Sequence, residues 1–301
     1  MKRRDAIGAL AGLLAAQGLA PFPAFGQARV RRAVFLAGQS EKNIENWMAG
    51  FREGMKDLGY QEGRNIAIDY RYGGLTREIS TQMATDAVAS NPDLIITQAG
   101  LAHSTNALTK TIPIVAIYSG DLVGKRIEIL KEMVPSIKRL AVLASPNHPG
   151  VHRERDASIA AAKKLGVSVA YYAVKDQPEL EAGLAAAVAA GTDGLVLFPD
   201  GVTNAGKERI AAFALQHKLP TVSGWDIYAI AGGLITYGPS MRGAFRHLAT
   251  YVDRVLKGAD PATTPIELPT IFELVVNMKT ARALGVKVPQ AVLVRADRVI
   301  E

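Results

Sequence analysis

Within residues 34–70 the spacing of apolar positions changes from strand-like to helical and back to strand-like. Residues 34–36 are consecutively apolar, which is the pattern of a short buried strand. Residues 65–70 alternate apolar and polar positions, which predicts a second strand. Between them, apolar residues recur at helical spacing and a helix-ending glycine follows them: Ile44, Trp47, Met48, Phe51, Met55, Leu58 and then Gly59. The pattern therefore predicts a strand, a helix and a strand parallel to the first.

The same plan returns in the second half of the chain. A predicted strand at residues 139–143 precedes a loop at 144–150, and the next helix ends on Leu165-Gly166, as the first ends on Leu58-Gly59. Two later segments are also echoed at nearly the same spacing: residues 92–96 at 192–196, and 112–115 at 219–222. Landmarks repeated in one order predict two lobes with the same topology.

Further elements follow at short intervals, which is typical of an α/β protein with parallel sheets. In the first half the pattern predicts a helix at 76–89, a strand at 94–97, a loop at 98–104 and a strand at 114–118. In the second half it predicts strands at 140–143, 169–174, 194–198, 220–223 and 233–236, with helices at 180–190 and 205–217. The predicted fold is α/β, with two similar doubly wound parallel-sheet lobes joined by a hinge.

The chain is predicted to pass between these lobes several times. The first lobe covers residues 29–123 and is completed by about 240–258, where a helix at 244–256 is expected to pack back onto it. The second lobe covers residues 124–239 and is completed by about 270–301. Repeated crossings make a hinge, and hinged lobes close on ligands.

Composition narrows the possible functions. The chain has 301 residues, of which 49% are hydrophobic and 21% charged, so it is long enough for two globular domains. Its net charge of +7 is spread along the sequence, with no basic run beyond Arg29-Val30-Arg31-Arg32, which argues against nucleic acid as a partner. There is no cysteine, so disulfides, thiolate chemistry and a lipidated N-terminal cysteine are excluded.

The first 28 residues have the pattern of a signal peptide. Lys2-Arg3-Arg4 is a basic start, residues 6–20 are apolar, and Gly26-Gln27-Ala28 is a small-x-small cleavage site. The apolar stretch is too weak for a permanent membrane span. Both the Sec route and the twin-arginine route stay open, because Arg3-Arg4 permits the latter. We expect cleavage after about Ala28 and a mature, monomeric periplasmic protein that does not span the membrane.

A ligand site is predicted where the two lobes face each other. In open parallel sheets ligands bind outside the carboxyl ends of the strands, and two facing lobes bring both sets of ends to one cleft. Hydroxyl, amide and carboxylate groups in these loops suit a small polar ligand, and an aromatic ring suits a flat one. The candidates are Gln39, Ser40, Ala99, Gly100, Asp121, Ser145, Asn147, Asp200, Thr203, Trp225 and Tyr237.

Each of these side chains also has a purely structural interpretation. Ser40, Ser145 and Thr203 lie before predicted helices, where such residues cap the helix. Asp200 follows a buried strand and could meet a ligand ammonium group, or it could be a turn residue before Gly201. Asp121 and Asp226 share this ambiguity. For Trp225, Tyr228 and Tyr237 the alternative is packing in the core.

Common catalytic and cofactor motifs are missing from the sequence. No His-Glu-x-x-His or Gly-x-Ser-x-Gly segment occurs. His148 and His152 are four residues apart, but Pro149-Gly150 between them argues against a shared helix face and hence against a metal site. Residues 37–40 carry one glycine where a dinucleotide loop needs three. No metal, cofactor or catalytic residue is predicted.

Several short motifs follow one another along nearly the whole chain. They are Leu58-Gly59-Tyr60-Gln61-Glu62-Gly63-Arg64-Asn65-Ile66, Ile112-Pro113-Ile114-Val115, Gly120-Asp121, Gly124-Lys125-Arg126-Ile127-Glu128, Tyr237-Gly238-Pro239, Tyr251-Val252-Asp253 and Glu273-Leu274-Val275-Val276-Asn277. In their order the chain resembles the ABC transporter substrate-binding proteins of the tryptophan/tyrosine-binding type. The resemblance implies a type I periplasmic-binding-protein fold, no catalysis, and delivery of a small ligand to a membrane permease.

The chain departs from that family at one place. Members usually have some two dozen residues, including a further strand, where Gly120-Asp121-Leu122-Val123 here runs directly into Gly124-Lys125-Arg126. We therefore expect a missing edge strand and a changed hinge. The predicted ligand is an amino acid or a related small carboxylate. The alternatives are a periplasmic hydrolase or isomerase on the same scaffold, and a ligand sensor for a membrane receptor.

Overall fold

Residues 31–117 form the first lobe. A computed structural model describes residues 29–73, 77–117, 122–148, 150–261 and 269–301. The strands of the first lobe are Arg31–Ala37 (β1), Ile66–Tyr72 (β2), Leu94–Gln98 (β3) and Ile114–Ile117 (β4). Its helices are Glu41–Asp57 (α1), Arg77–Ala89 (α2) and Ala99–Leu108 (α3).

The second lobe begins with the helix Val123–Met133 (α4). It continues through Arg139–Ala144 (β5), Val151–Lys164 (α5), Ser168–Ala173 (β6), Gln177–Ala189 (α6), Gly194–Leu197 (β7), Gly201–Ala205 (α7), Lys207–Gln216 (α8), Thr221–Ser223 (β8), Asp226–Ile230 (α9) and Ile235–Pro239 (β9). After the helix Met241–Leu256 (α10), the chain ends with Phe272–Asn277 (β10), Met278–Leu284 (α11), Gln290–Arg295 (α12) and Arg298–Ile300 (β11).

The two sheets repeat one strand order. The first is ordered β2-β1-β3-β4, and the second contains β6-β5-β7-β8 as its equivalent part, all parallel. The second sheet then continues through β9 to β10 and β11. This confirms the predicted α/β fold with two parallel-sheet lobes. The pairing of β10 with β9 is antiparallel, which the sequence pattern did not predict.

The repeated Leu-Gly pairs end α1 and α5 in the predicted way. Gly59 and Gly166 have φ angles of +86° and +66°, a left-handed conformation that glycine adopts without steric cost. In the first unit Trp47, Met48 and Phe51 on α1 are fully buried against the sheet, beside Phe35 of β1. The apolar period seen in the sequence is therefore the face of α1 that forms the core of the first lobe.

Helix α10 packs closely against α1 of the first lobe. Gly50 and Gly54 lie at the crossing, where an added Cβ would stand 2.3 Å from the carbonyl oxygen of Arg242 and 2.5 Å from that of Arg246. The absence of side chains at these two positions lets the helices approach. Arg242 and Arg246 also reach Glu53 and Asp57 with ion pairs along the edge of the contact. The chain thus returns to the first lobe after β9 and leaves it again for β10.

Two of the predicted segments differ from the structure. Residues 98–104 were predicted as a loop but lie largely in α3, because Gln98 is the helix N-cap and Ala99 and Gly100 form its first turn. The predicted helix at 205–217 divides at Gly206 into α7 and α8. An added Cβ at Gly206 would stand 2.4 Å from Leu180 of α6, so the turn is placed by close packing that the sequence pattern does not show.

The chain passes between the lobes after β4, after β9 and after α10. At the first passage residues 118–121 lie outside the described part, and α4 begins at Val123. In the second lobe the equivalent strand β8 leads through α9 to a further strand, β9, whereas β4 is the last strand of its sheet within the described residues. No helix among the described residues is long and apolar enough to cross a membrane.

Candidate functional site

The carboxyl ends of the two sheets are brought together by contacts between the lobes. Trp47 of α1 touches Trp225, which follows β8, with ring centroids 5.1 Å apart at an interplanar angle of 82°. Nearby, Lys207 Nζ of α8 donates a hydrogen bond to Asn43 Oδ1 of α1 at 3.0 Å. The segment after β1 therefore faces those after β7 and β8 across the cleft between the lobes.

Buried polar atoms without hydrogen-bond partners lie mainly at or after the carboxyl ends of strands. Among the described residues eight side chains carry such atoms: Gln39, Tyr72, Gln98, Glu154, Gln177, Asn204, Trp225 and Thr236. All except Thr236 stand at the carboxyl end of a strand or in the segment that follows one. A buried polar group without a partner costs about 1–3 kcal/mol, so a further polar partner would be favourable at these atoms.

The first lobe contributes two amide side chains to this set. Gln39 follows β1, is 4% exposed, and has an unpaired Oε1. Gln98 ends the neighbouring strand β3 and has an unpaired Nε2. Because Leu36 pairs with Thr97, these two glutamines leave adjacent strands at the same edge. Gln39 was named as a site residue from the sequence, whereas Gln98 was included only as the first residue of the candidate loop at 98–104.

The other predicted residues of the first lobe have different surroundings. Ser40 is exposed at the N-cap position of α1, and its side chain makes no capping hydrogen bond. Ala99 and Gly100 form the first turn of α3. Asp121 lies outside the described residues.

In the second lobe Asp200 is enclosed by backbone N–H groups. Its Oδ1 accepts hydrogen bonds from Val202 N and Thr203 N at 2.8 and 2.9 Å, and its Oδ2 accepts one from Ser145 N at 2.7 Å. The carboxylate is therefore the N-cap of α7 and also ties that helix to the loop after β5. Burial raises the pKa of Asp200, while the three N–H donors and nearby His148 favour its charged form.

Thr203, Ser145 and Asn147 also serve this local structure. The Thr203 hydroxyl donates to Phe198 O at 2.6 Å and lies 2.7 Å from the hydroxyl of buried Tyr228. Ser145 Oγ accepts from the backbone N–H of Asn147 at 3.2 Å, which closes the turn after β5. These bonds hold the turn after β5 and the first turn of α7 in place, and the side chain of Asn147 is exposed.

Trp225 and Tyr237 occupy neighbouring strand ends. Trp225 is 8% exposed, packs on Trp47 and has no acceptor for its indole N–H. Tyr237 of β9 is half-buried, with its ring 6.3 Å from that of Phe272. Trp225 can therefore pack in the core with its ring and still offer its indole N–H to a ligand.

Two residues of the cleft region, Asn204 and Arg126, were not named as site residues from the sequence, whereas Asp226 was named with a turn residue as its alternative interpretation. Asn204 is fully buried in α7 with both amide atoms unpaired. Asp226, the first residue of α9, accepts a hydrogen bond from Trp47 Nε1 at 3.3 Å; burial raises its pKa, opposed by Trp47 and Arg298. Arg126 is 2% exposed and donates from Nε to Tyr237 O at 2.8 Å. Arg126 was detectable, because it shares the apolar face of α4 with Val123 and Ile127.

His148 pairs with a carboxylate and is not placed on a helix with His152. His148 Nε2 lies 3.0 Å from Glu154 Oε1, and both side chains are 10% exposed. His152 is exposed on α5. No group of three or more histidine, aspartate or glutamate side chains suited to a metal ion occurs in the described part of the chain.

Comparison with known proteins relates the chain to a transport family. A sequence model described as ABC transporter substrate binding protein matches residues 30–127 and 119–300. The two matched segments overlap at residues 119–127, the place where the resemblance led us to expect a missing segment. A protein of Clostridioides difficile called tyrosine-binding protein is 21% identical over 271 residues, which cover 81% of this chain and 78% of that protein.

Two crystal structures share the fold. One is an ABC domain from Streptococcus pneumoniae in complex with L-Trp, with a TM-score of 0.83 and 21% identity, covering 90% of this chain and 100% of that one. The other is a conserved domain protein from Vibrio cholerae, with a TM-score of 0.84 and 23% identity over the same shares of the two chains.

Proposed function

The chain belongs to the ABC transporter substrate-binding protein family, and from this premise we propose that it captures a small polar ligand between its lobes and delivers it to an ABC permease. The observation that carries the proposal is the concentration of unpartnered buried polar atoms at the carboxyl ends of both sheets. A ligand held there would contact both lobes at once. Closure around it would thus be the signal that a permease reads.

The proposed ligand is an amino acid or a related small carboxylate. Gln98 Nε2 and the Trp225 indole N–H are donors suited to a carboxylate, and the free Oε1 of Gln39 is an acceptor suited to an ammonium group. Ser40 and Gly100, and Asp121 by its sequence position, are proposed as further contacts on the first lobe, with Asn147 on the second. The names of the tyrosine-binding relative and of the L-Trp complex support an amino acid with an aromatic side chain.

A thermal-shift screen of the mature chain tests this proposal. We expect L-tryptophan, L-tyrosine or another amino acid or small carboxylate to raise the melting temperature, because a ligand at a hundred times its dissociation constant stabilises by about 2.7 kcal/mol. The variant Gln98→Leu should lose most of the shift, since it removes an unpaired donor and keeps the size of the side chain. The exposed, distant Gln82→Leu is the matched control. A stabilising ligand found only among sugars would overturn the proposed ligand class.

We also propose that the protein works outside the cytoplasm. Members of the family are usually extracytoplasmic, and the signal-peptide pattern of residues 1–28, which lie outside the described part, fits export to the periplasm. Mass spectrometry of the exported protein is expected to find a chain that begins near Arg29. An exported chain that keeps Met1 or Lys2 would contradict the predicted cleavage. Comparison of export with and without Arg3-Arg4→Lys-Lys would separate the twin-arginine route from the Sec route.

Among the alternatives, the comparisons favour binding over catalysis, because the matched family and the L-Trp complex are solute-binding proteins. A receptor partner would read the same closed lobes as a permease does. A permease and an ATPase encoded beside this protein would favour uptake.

A further inference from the structure

The only two tryptophans of the sequence meet each other across the cleft. Trp47 lies in α1 of the first lobe and Trp225 lies between β8 and α9 of the second. Trp47 is fully buried, and its ring meets that of Trp225 edge to face, a favourable arrangement for aromatic pairs. Burial of Trp47 is therefore complete only when the lobes are together.

A hydrogen bond makes this contact directional. The indole N–H of Trp47 donates to Asp226 Oδ1 at 3.3 Å, next to Trp225 in the sequence. Asp226 also stands 4.0 Å from Arg298 of β11, and it interacts electrostatically with Glu273 of β10. One side chain of the first lobe thus contacts both residues of the strand-end loop that the second lobe presents to the cleft.

Contacts with both lobes hold the part of α1 that carries Trp47. Phe245 of α10 lies behind it, with ring centroids 5.6 Å apart, so the indole is held from within the first lobe. One turn earlier Asn43 accepts the bond from Lys207 of the second lobe. Between them Ile44 departs from helical geometry, with φ −120° and ψ 15°, so the first turn of α1 is angled separately from the part that carries Trp47.

We propose that Trp47 is a positioning residue: by contacting Trp225 and Asp226 it stabilises the closed form of the two lobes, and the fraction of closed molecules sets the ligand affinity. The effect on ligand affinity rests on the proposed function, whereas the effect on lobe closure does not. Ligand enters the open form, and closure of the lobes then retains it, so the overall affinity rises with the stability of the closed form. Weakening the contact of Trp47 with Trp225 and Asp226 should therefore speed ligand release and leave the association rate nearly unchanged.

Crosslinking tests, without any ligand, whether Trp47 stabilises the contact between the lobes. The sequence has no cysteine, so Asn43→Cys with Lys207→Cys provides one defined thiol pair across the cleft. A short bis-maleimide should join these thiols whenever the lobes meet as described. Adding Trp47→Phe keeps an aromatic ring but removes the N–H donor, and we expect crosslinking about tenfold slower, as for loss of a hydrogen bond to a charged group.

Two further variants make the result decisive. Phe51→Leu alters another fully buried aromatic of α1, which packs on Phe35 within the first lobe, and should leave the crosslinking rate unchanged. Asp226→Asn weakens the hydrogen bond from Trp47 by changing its acceptor on the second lobe. This variant tests the same contact if Trp47→Phe does not fold. Equal rates with and without Trp47→Phe or Asp226→Asn, or no crosslinking in any background, would overturn the proposal. Failure of the ligand screen would leave these rates intact and would count against the proposed function alone.

Discussion

Replacing Asp200 with alanine is expected to lower the free energy of unfolding of the mature chain by about 3 to 5 kcal/mol. The change removes the acceptor of three buried backbone N–H groups, those of Ser145, Val202 and Thr203. Each unpaired donor carries a desolvation cost, and the N-cap of α7 is lost as well. The effect is large because one carboxylate joins two strand-end segments.

The variant Asp200→Asn should have an intermediate effect. Its amide oxygen can still cap α7, as asparagine commonly does, but its NH2 group would face the N–H of Ser145. Asp176→Ala is the matched control, because Asp176 is an exposed N-cap of α6 that accepts from Glu179 N at 2.9 Å. It should cost only about 1 kcal/mol. Denaturant unfolding of the wild type and the three variants measures their free energies of unfolding and so tests this order of stability.

The same variants separate the two interpretations of Asp200. If its main role is to hold the fold, Asp200→Asn should keep most of the ligand affinity while losing stability. If Asp200 binds a ligand ammonium group, the affinity of Asp200→Asn should fall by far more than its stability, because a desolvated charge pair is worth about 2–5 kcal/mol. Near-wild-type stability of Asp200→Ala would contradict the capping role described above.

The sequence predicted those parts of the fold that depend on local pattern. The repeated strand-helix-strand units and their Leu-Gly ends were readable because burial of a helix face and the left-handed conformation of Gly59 and Gly166 leave clear traces in the sequence. The direction of β10 was not readable, since one apolar strand looks alike in parallel and antiparallel pairs. Nor was the break at Gly206, which depends on the position of Leu180 in space.

The candidate site shows a similar division. The rule that ligand-binding segments follow the carboxyl ends of strands correctly indicated which segments lie at that edge of each sheet. Gln39 and Trp225, which both carry unpaired polar atoms, were found in this way. It did not distinguish a side chain that is free for a ligand from one committed to the fold, as Thr203 is. Trp47 was predicted only as part of a helix face, because no local pattern shows that this face continues onto the other lobe. Whether each candidate touches ligand stays a prediction.

Replacing Gly238 with alanine is expected to destabilise the chain by about 3 kcal/mol and to displace the loop that carries Trp225. An added Cβ at Gly238 would stand 1.9 Å from the carbonyl oxygen of Gly224 and 2.9 Å from its carbonyl carbon. Backbone cannot rotate away as a side chain can, so β9 and the 224 loop must separate. Gly224 in turn packs on the guanidinium of Arg126, which blocks retreat in that direction.

Gly243→Ala provides the control for Gly238→Ala. Gly243 lies in the first turn of α10, where an added Cβ would meet only Ser240, at 3.4 Å and beyond. Alanine there should be neutral or stabilising by up to about 1 kcal/mol, because glycine is the poorer helix former. Unfolding experiments measure the stabilities, and near-ultraviolet circular dichroism reports the surroundings of Trp47 and Trp225. A Gly238→Ala protein with wild-type stability and an unchanged tryptophan signal would mean that the two backbone segments are not in contact, and the coupling of β9 to the Trp225 loop would have to be abandoned.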